Sequence, residues 1–444
     1  MNVQAQELSL FGWNQFIRTD EKLTRIIYLD GDEYESTVDT TGVYRGETDE
    51  LANWWYAYLK GEKPVARDSR GALRVAELFC GSGGLAQGVK QFCREAGYEF
   101  FSVGAIDEDG SAVDVYAQNH GTDPDRAIKG QVSALVDFAV RGIAEDARWS
   151  NQPEMIDDRW ATLTDTDAVD VLLAGPPCQG HSNLNNHTRR NDRRNEDYLY
   201  VPAVACALDI PVVIIENVPA VIHDHGSVVD TAKQLFLEAG YRVETGVFKA
   251  GAMGWPQNRS RFFLIACKHT SPAYLHHVAE ALALPKGRPP LSVMWAIGDF
   301  EDADPDEHHM YRQAAYTQDN LARIAYLHDE DVFDLPVELH NEKHREGTSY
   351  TSVYGRMYGD RPAGTITTGF LTPGRGRYVH PTRRRTLNPR EAARLQGFPD
   401  TYRFLLDGKP PPSGQLTKWI GDAVPMPLGY AAAISALSAG LPQR

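Results

Sequence analysis

Four side chains stand at the edges of apolar runs, where reacting groups can reach them: Cys178, Glu216, Arg259 and Arg261. In "VDVLLAGPPCQGHS" (169–182) the run ends in small residues and two prolines, and the cysteine follows. A cysteine used only for packing belongs inside such a run. Cys178 lies just past it, on backbone stiffened by proline, where a thiolate can act as nucleophile. "VVIIENV" (212–218) places Glu216 at the end of a fully apolar run, as a partly desolvated proton donor would be. In "PQNRSRFFLI" (256–265) Arg259 and Arg261 are two residues apart, so in extended chain both forks point to one face. A solvent-facing carboxylate and a solvated arginine pair are the plainer alternatives. Against them, Cys178 and Glu216 end their runs in the same manner, which suggests one shared rim.

"FCGSGG" (79–84) follows another apolar run and opens a helical pattern, so its backbone can approach a ligand at a helix N-terminus. "GSGGLA" also fits the dinucleotide pattern G-x-G-x-x-A, which makes an NAD-dependent dehydrogenase a rival. Asp107 ends the next run, where a carboxylate can accept hydrogen bonds from ribose hydroxyls of any adenosyl cofactor.

These residues need elements to hold them. "LRVAELF", "EFFSVGAID", "AVDVLLAG", "PVVIIENV" and "RFFLIACK" read as strands buried on both faces. "GLAQGVKQFCREAG", "SAVDVYAQNHG", "YVPAVACAL" and "VVDTAKQLFLEAG" read as helices between them. The alternation predicts an α/β fold with a mainly parallel sheet, whose ligands bind beyond the carboxyl ends of the strands. The expected organisation is an acidic extension of unassigned role (1–70), a catalytic domain (71–268), a smaller inserted domain (269–372) and a return to the first domain (373–444).

The net charge of −15 excludes general adhesion to nucleic acid but not a local basic surface. No apolar run approaches the roughly 20 residues of a membrane span, and no signal-peptide pattern opens the chain. Five scattered cysteines without a C-x-x-C pair predict reduced thiols and a cytoplasmic protein. His340 and His344 in "HNEKH" have no evident third ligand, so no metal site is expected.

Six motifs then occur in order: "FCGSGG", "PPCQG", "ENV", "QNRSR", "RTLNPREAARLQGFPD" and "GDAVP". Together they resemble the DNA cytosine-5 methyltransferase family over about residues 73 to 444. The NAD reading explains none of the later five. The resemblance implies a Rossmann-like, class I S-adenosylmethionine-dependent fold with an inserted target recognition domain. It implies methyl transfer to carbon 5 of a cytosine flipped out of duplex DNA. Cys178 would add to carbon 6, Glu216 would hold N3, Arg261 would stabilise O2, and Arg259 would support the geometry. The resemblance assigns S-adenosylmethionine to Phe79, Gly81, Ser82, Gly83, Gly84, Leu85, Asp107, Glu108, Gln131, Val132, Pro176, Leu199, Asp422, Ala423 and Val424. Ser182 and the arginine-rich segment with Arg189, Arg190, Arg193 and Arg194 would close over DNA. Thr365 and Ile366 match the family's Thr-aliphatic pair near the flipped nucleotide, and Arg375 and Arg377 would contact DNA.

The chain departs from the commoner family pattern at Glu108, usually apolar or aromatic, at Gln131, often an acid, and at Asp422, usually Asn. A tRNA cytosine-5 methyltransferase and an inactive DNA-binding relative are the alternatives. The size of the recognition segment favours DNA, and intact Cys178, Glu216 and Arg261 favour an active enzyme. The implied partners are double-stranded DNA and a cognate restriction endonuclease, with the chain acting as a monomer. An orphan or phage-borne setting would share every motif. "QELSLF" (6–11) is similar to the peptide that docks bacterial proteins on the replication sliding clamp, although packing of Leu8, Leu10 and Phe11 is the simpler role.

Overall fold

The computed structural model describes residues 12–29, 31–41, 49–164, 168–177, 193–224, 226–285, 287–345 and 352–438. Cys178, Ser182, Arg189, Arg190 and the "QELSLF" segment lie outside the described residues. Contacts divide the chain into two compact units. One comprises Met1–Phe248, Ser260–Ala283 and Met426–Arg444; the other comprises Lys249–Arg259 and Leu284–Pro425.

The first unit opens with an antiparallel sheet of β1 (Gly12–Arg18), β2 (Lys22–Leu29), β3 (Asp32–Asp39) and, after α1 (Glu50–Lys60), β4 (Val65–Ala66). Then come β5 (Gly71–Leu78), α2 (Gly84–Ala96), β6 (Tyr98–Asp107), α3 (Gly110–His120) and β7 (Ala127–Lys129). A hairpin of β8 (Val136–Arg141) and β9 (Arg148–Met155) and the short α4 (Asp158–Ala161) precede β10 (Val171–Ala174). The series continues with α5 (Tyr200–Ala207), β11 (Val212–Asn217), α6 (Val228–Glu238), β12 (Arg242–Lys249), β13 (Ser260–Cys267) and α7 (Leu275–Ala281).

The central sheet has the order β12-β13-β11-β10-β5-β6-β7. β11, β10, β5, β6 and β7 pair in parallel, and β13 runs antiparallel to β11. All five runs expected to be strands are strands, and most of their side chains leave water, although Phe101 in β6 is 43% exposed. Val213, Ile214 and Ile215 are 0% exposed, and burying each such side chain stabilises by about 1.5–3 kcal/mol.

A buried carboxylate helps to join the N-terminal extension to this unit, beside bonds such as Gln87 Nε2 to Tyr58 Oη and Tyr34 Oη to the Ser438 carbonyl. Glu95, near the end of α2, accepts hydrogen bonds from Arg25 Nη1 (3.2 Å), Trp54 Nε1 (3.2 Å), Gln91 Nε2 (2.8 Å) and Tyr430 Oη (2.6 Å). Arg25 and Glu95 are each 1% exposed. The Arg25 guanidinium lies 5.0–5.8 Å from the rings of Phe16, Trp54, Trp55 and Tyr430, within cation–π range.

The second unit contains α8 (Val293–Ile297), α9 (Gln318–Asp329), α10 (Glu342–Arg345), α11 (Pro389–Gln396) and α12 (Ser413–Asp422). Among its described residues, sheet-type pairing beyond Arg259 is limited to isolated bridges such as Arg356 with Val379. α11 begins as its sequence predicts, with a capping box of Asn388 and Glu391 and Pro389 at its start, and ends on Gly397 in the left-handed region. The chain rejoins the first unit as α13 (Met426–Leu437), which packs on α2, α7 and β13. That return falls at Met426 and not at 373, because α11 packs on α8 and α12 inside the second unit. The stretch Ser413–Leu437 is long and apolar enough for a membrane span, yet it comprises two helices, α12 and α13, and 94% of its most apolar 18-residue window is buried within the protein.

Candidate active site

The carboxyl ends of the parallel strands assemble one rim of the first unit. After β5, Phe79 (φ 54°), Gly81 (φ 48°) and Gly83 (φ 87°) adopt left-handed backbone, which turns the chain sharply into α2. A Cβ on Gly81 would meet nothing within 4 Å, so glycine is needed there for its backbone and the space beside it is open. No side chain caps α2, and no acidic residue lies in its first turn. Its N-terminal amides therefore suit an anionic group of a ligand.

Asp107, at the end of β6, is held in place from two sides: its Oδ2 accepts from Gly81 N (2.9 Å) and its Oδ1 from Asp109 N (2.8 Å). The main chain of Asp107 also accepts from Gly130 N (2.9 Å), which brings the turn after β7 to the same place. In that turn Gln131 is exposed and Val132 is 3% exposed, a polar group beside an apolar wall. Glu108 is exposed, Ser82 and Leu85 are buried, and Gly84 opens α2. Pro176 is buried after β10, and Leu199 ends the 3-10 turn Arg193–Leu199 and packs against the core. These groups fit an adenosyl cofactor: a carboxylate for ribose, open glycine backbone and a helix N-terminus for a negative charge.

Glu216 and Arg261 sit at the same rim. Glu216 Oε1 lies 2.6 Å from Arg261 Nε, and both side chains are nearly buried. The antiparallel course of β13 makes this possible: Glu216 lies opposite Phe263 and Asn217 opposite Phe262, so the start of β13 meets the end of β11. A Cβ on Gly175 would lie 3.7 Å from Glu216 Oε2 and 3.7 Å from the Phe79 carbonyl, so three strand ends converge there. Asn217, 1% exposed, donates from Nδ2 to the Pro176 carbonyl at 3.3 Å while its Oδ1 accepts from Val218 N at 2.8 Å. It thereby fixes the proline segment that leads to Cys178. Asn217 follows Glu216 in "ENV", and its only sequence signal is an asparagine ending an apolar strand.

Arg259 does not join Arg261. It belongs to the second unit, is 3% exposed, and donates to the carbonyls of Ile366 (2.7 Å) and Gly421 (2.9 Å). Around it, Gln257 Nε2 donates to the Leu395 carbonyl (2.8 Å) and to Gln396 Oε1 (2.9 Å). Trp255 Nε1 also donates to the Leu395 carbonyl (2.8 Å), and Gln396 Nε2 donates to the carbonyls of Ile420 (2.6 Å) and Ala423 (3.2 Å). "PQNR", "TIT", "RLQGF" and the start of "GDAV" are thus joined by one polar network, at whose edge Asp422 is exposed and Ala423 and Val424 are half-buried. Sequence reading missed Trp255, Gln257 and Gln396, since buried amides look like surface residues until their partners are known. Gly421 packs so closely that a Cβ would lie 2.3 Å from Thr368 N and 2.4 Å from the Thr367 carbonyl carbon. Gly421→Ala should therefore destabilise by about 1–3 kcal/mol, as overpacking does. A thermal melt indistinguishable from the parent would disprove that close approach.

In the second unit Thr365 is exposed and Ile366 is fully buried, so the Ile366 side chain packs in the core. Arg375 is exposed. Arg377 donates to the carbonyls of Phe333 (2.7 Å) and Arg356 (2.9 Å) and pairs with Asp334. Arg383 and Arg384 pair with Asp302 and Asp329, and Arg385 grips Glu391 with two bonds of 2.7 Å. The basic stretch is therefore largely matched by acids. The exposed pairs are weak and can be exchanged for phosphate; the buried Arg385 pair holds α11 in place. His340 Nε2 meets the Leu335 carbonyl (3.0 Å) and His344 Nδ1 meets Tyr354 Oη (3.0 Å).

The sequence pattern of the C-5 cytosine-specific DNA methylases matches residues 73–437. The chain belongs to that family. It is 36% identical to the type II methyltransferase M1.BsuMI of Bacillus subtilis over 373 residues, covering 82% of this chain and 81% of the relative. It is 31% identical to the type II methylase M.HgiDII of Herpetosiphon aurantiacus over 375 residues, covering 80% and 92%. The crystal structure of Schizosaccharomyces pombe Dnmt2 methyltransferase shares the fold, with a TM-score of 0.50 at 15% identity over 82% of this chain and 98% of that one. The enzyme is a Rossmann-like, S-adenosylmethionine-dependent DNA cytosine-5 methyltransferase of bacterial type.

Proposed function

We propose that the enzyme methylates a cytosine flipped out of duplex DNA through a covalent adduct of Cys178, with Glu216 and Arg261 on the opposite edge of the base. The observation that carries this reading is the Glu216–Arg261 pair at 2.6 Å, at the rim where Asn217 ties down the proline segment before Cys178. Glu216 and Arg261 form an ion pair at that rim. A cytosine edge entering there takes over both, its O2 accepting from Arg261 and its N3 facing the Glu216 carboxyl. Carbon 5 of cytosine is a poor nucleophile. Addition of the Cys178 thiolate to carbon 6 moves electron density onto carbon 5, and Arg261 and Glu216 stabilise the charge that develops at O2 and N3. The Phe79–Leu85 turn, Asp107 and Gln131 would hold S-adenosylmethionine, which when bound would supply the electrophilic methyl group that carbon 5 takes, leaving S-adenosylhomocysteine. The carbon 5 proton then leaves to a base, and departure of the thiolate frees the product.

Arg259 acts here through the main chain that it holds. Arg193, Arg194 and Arg375 contact phosphates, and Thr365 lies beside the flipped nucleotide. The relatives' names as type II methyltransferases support a restriction-modification setting with a cognate endonuclease; a cytoplasmic, monomeric enzyme completes the reading.

Bisulfite sequencing of plasmid DNA from cells expressing the enzyme should show methylated cytosine in one recurrent context. The same assay with Cys178→Ala should show none. Methylation that survives this substitution would refute the covalent route.

A further inference from the structure

Residues 356–394 carry nine arginines against two acids, and most of those guanidinium groups are engaged inside the protein. Arg356 donates to the Pro381 carbonyl (2.9 Å) and pairs with Asp331 (2.9 Å), and Arg377 is held as described. Arg361 differs. Its side chain is 63% exposed, and its charged contact among the described residues is its neighbour Asp360, 3.7 Å from Nε and itself 79% exposed.

Arg361 is nevertheless held at both ends. Its guanidinium lies 4.4 Å from the Tyr358 ring centroid, and Tyr358 stacks on Phe333 at 4.3 Å and 22°. The Arg377 guanidinium lies 5.0 Å from the Tyr358 ring and that of Arg356 lies 5.0 Å from Phe333. The main chain is pinned as well. The Arg361 carbonyl accepts from Val293 N (2.9 Å), Ala363 N donates to the Pro256 carbonyl (2.9 Å), and the Ala363 carbonyl accepts from Asn258 N (2.7 Å). An exposed arginine usually loses considerable rotamer freedom on binding. Here an aromatic platform and a fixed backbone have removed much of that freedom beforehand, as a site built for planar recognition requires.

We infer that Arg361 is a specificity-determining residue, whose fork on the Tyr358–Phe333 platform reads the O6 and N7 edge of a guanine in the target sequence. Guanine is the base whose major-groove edge offers two adjacent acceptors to a planar pair of donors. A phosphate contact needs only charge, which lysine supplies equally well. The inference rests on the enzyme acting on duplex DNA, and Arg361 lies four residues before Thr365 on the same pinned segment.

The test uses the full-length enzyme and a duplex library randomised around a central cytosine, read by bisulfite sequencing after methylation. The parent enzyme should select a context that includes guanine. Arg361→Ala and Arg361→Lys should both relax selection at one guanine position, lowering discrimination there by roughly ten- to a hundred-fold and leaving the other positions unchanged. Tyr358→Phe should retain that selection and Tyr358→Leu should lose part of it, with circular dichroism verifying that each variant is folded. A uniform loss across all contexts, rescued by lysine and accompanied by a shallower salt dependence, would mean a phosphate contact and would overturn the inference. So would an unchanged context in Arg361→Ala. Absence of methylation by the parent enzyme would instead count against duplex DNA as substrate.

Discussion

Glu216→Gln should lower the single-turnover rate of methyl transfer by on the order of a hundred- to ten-thousand-fold, the range removed with a positioned proton donor. Glutamine keeps an oxygen near Arg261 Nε, which lies 2.6 Å from the carboxylate in the parent enzyme. The fold and the affinity for DNA should therefore change much less than the rate. What glutamine cannot supply is a transferable proton at N3 while the thiolate is adding to carbon 6. The expected pattern is a large fall in kcat with a nearly constant KM for DNA, because the lost interaction forms only in the transition state. Rates within a factor of a few of the parent would remove Glu216 from the chemistry and leave it as a partner for Arg261.

The second large effect concerns stability. Glu95→Ala should destabilise the enzyme by about 3–5 kcal/mol, since it leaves a buried guanidinium without its counter-charge. Arg25 would retain the Asn14 side-chain oxygen (3.1 Å) and its aromatic neighbours, which do not balance a full charge at 1% exposure. The loss is comparable with the whole stability of many domains, roughly 5–15 kcal/mol. The double variant Arg25→Met, Glu95→Gln should recover much of it, because removing both charges is far less costly than removing one. Urea unfolding of the parent, Glu95→Ala and the double variant measures this directly. A double variant no more stable than Glu95→Ala would show that the pair does not act as a pair. Glu95 lies near the far end of the helix that opens on the glycine turn, so cofactor affinity should weaken along with stability.

The central sheet was legible because its strands are buried on both faces: a run such as "VVIIEN" has no solvent-facing alternation to confuse with a helix. β12, with its half-exposed "RVETGVFK", and the three-residue β7 lack that signal, and neither was anticipated. Strand direction was not legible either. Apolar periodicity is the same whichever way a strand runs, so the antiparallel course of β13, which sets Arg261 against Glu216, appears only in the fold. The expectation that Arg259 and Arg261 share a face failed for a related reason. Spacing along an extended chain does not reveal that one fork turns toward the carbonyls of Ile366 and Gly421. The acidic extension resisted reading because Arg25 and Trp54 find their partner on Glu95, far away in sequence.

The network around Arg259 is built largely on main chain. Arg259, Trp255, Gln257 and Gln396 direct most of their donors at main-chain carbonyls, those of Ile366, Leu395, Ile420 and Gly421 among them. Every residue type offers the same carbonyl. Exposed positions along these segments, such as Thr365, can therefore accumulate substitutions over generations while the groups that hold the main chain keep their partners. A scaffold that grips backbone lets selection change such side chains without first having to rebuild the hydrogen bonds that hold the chain.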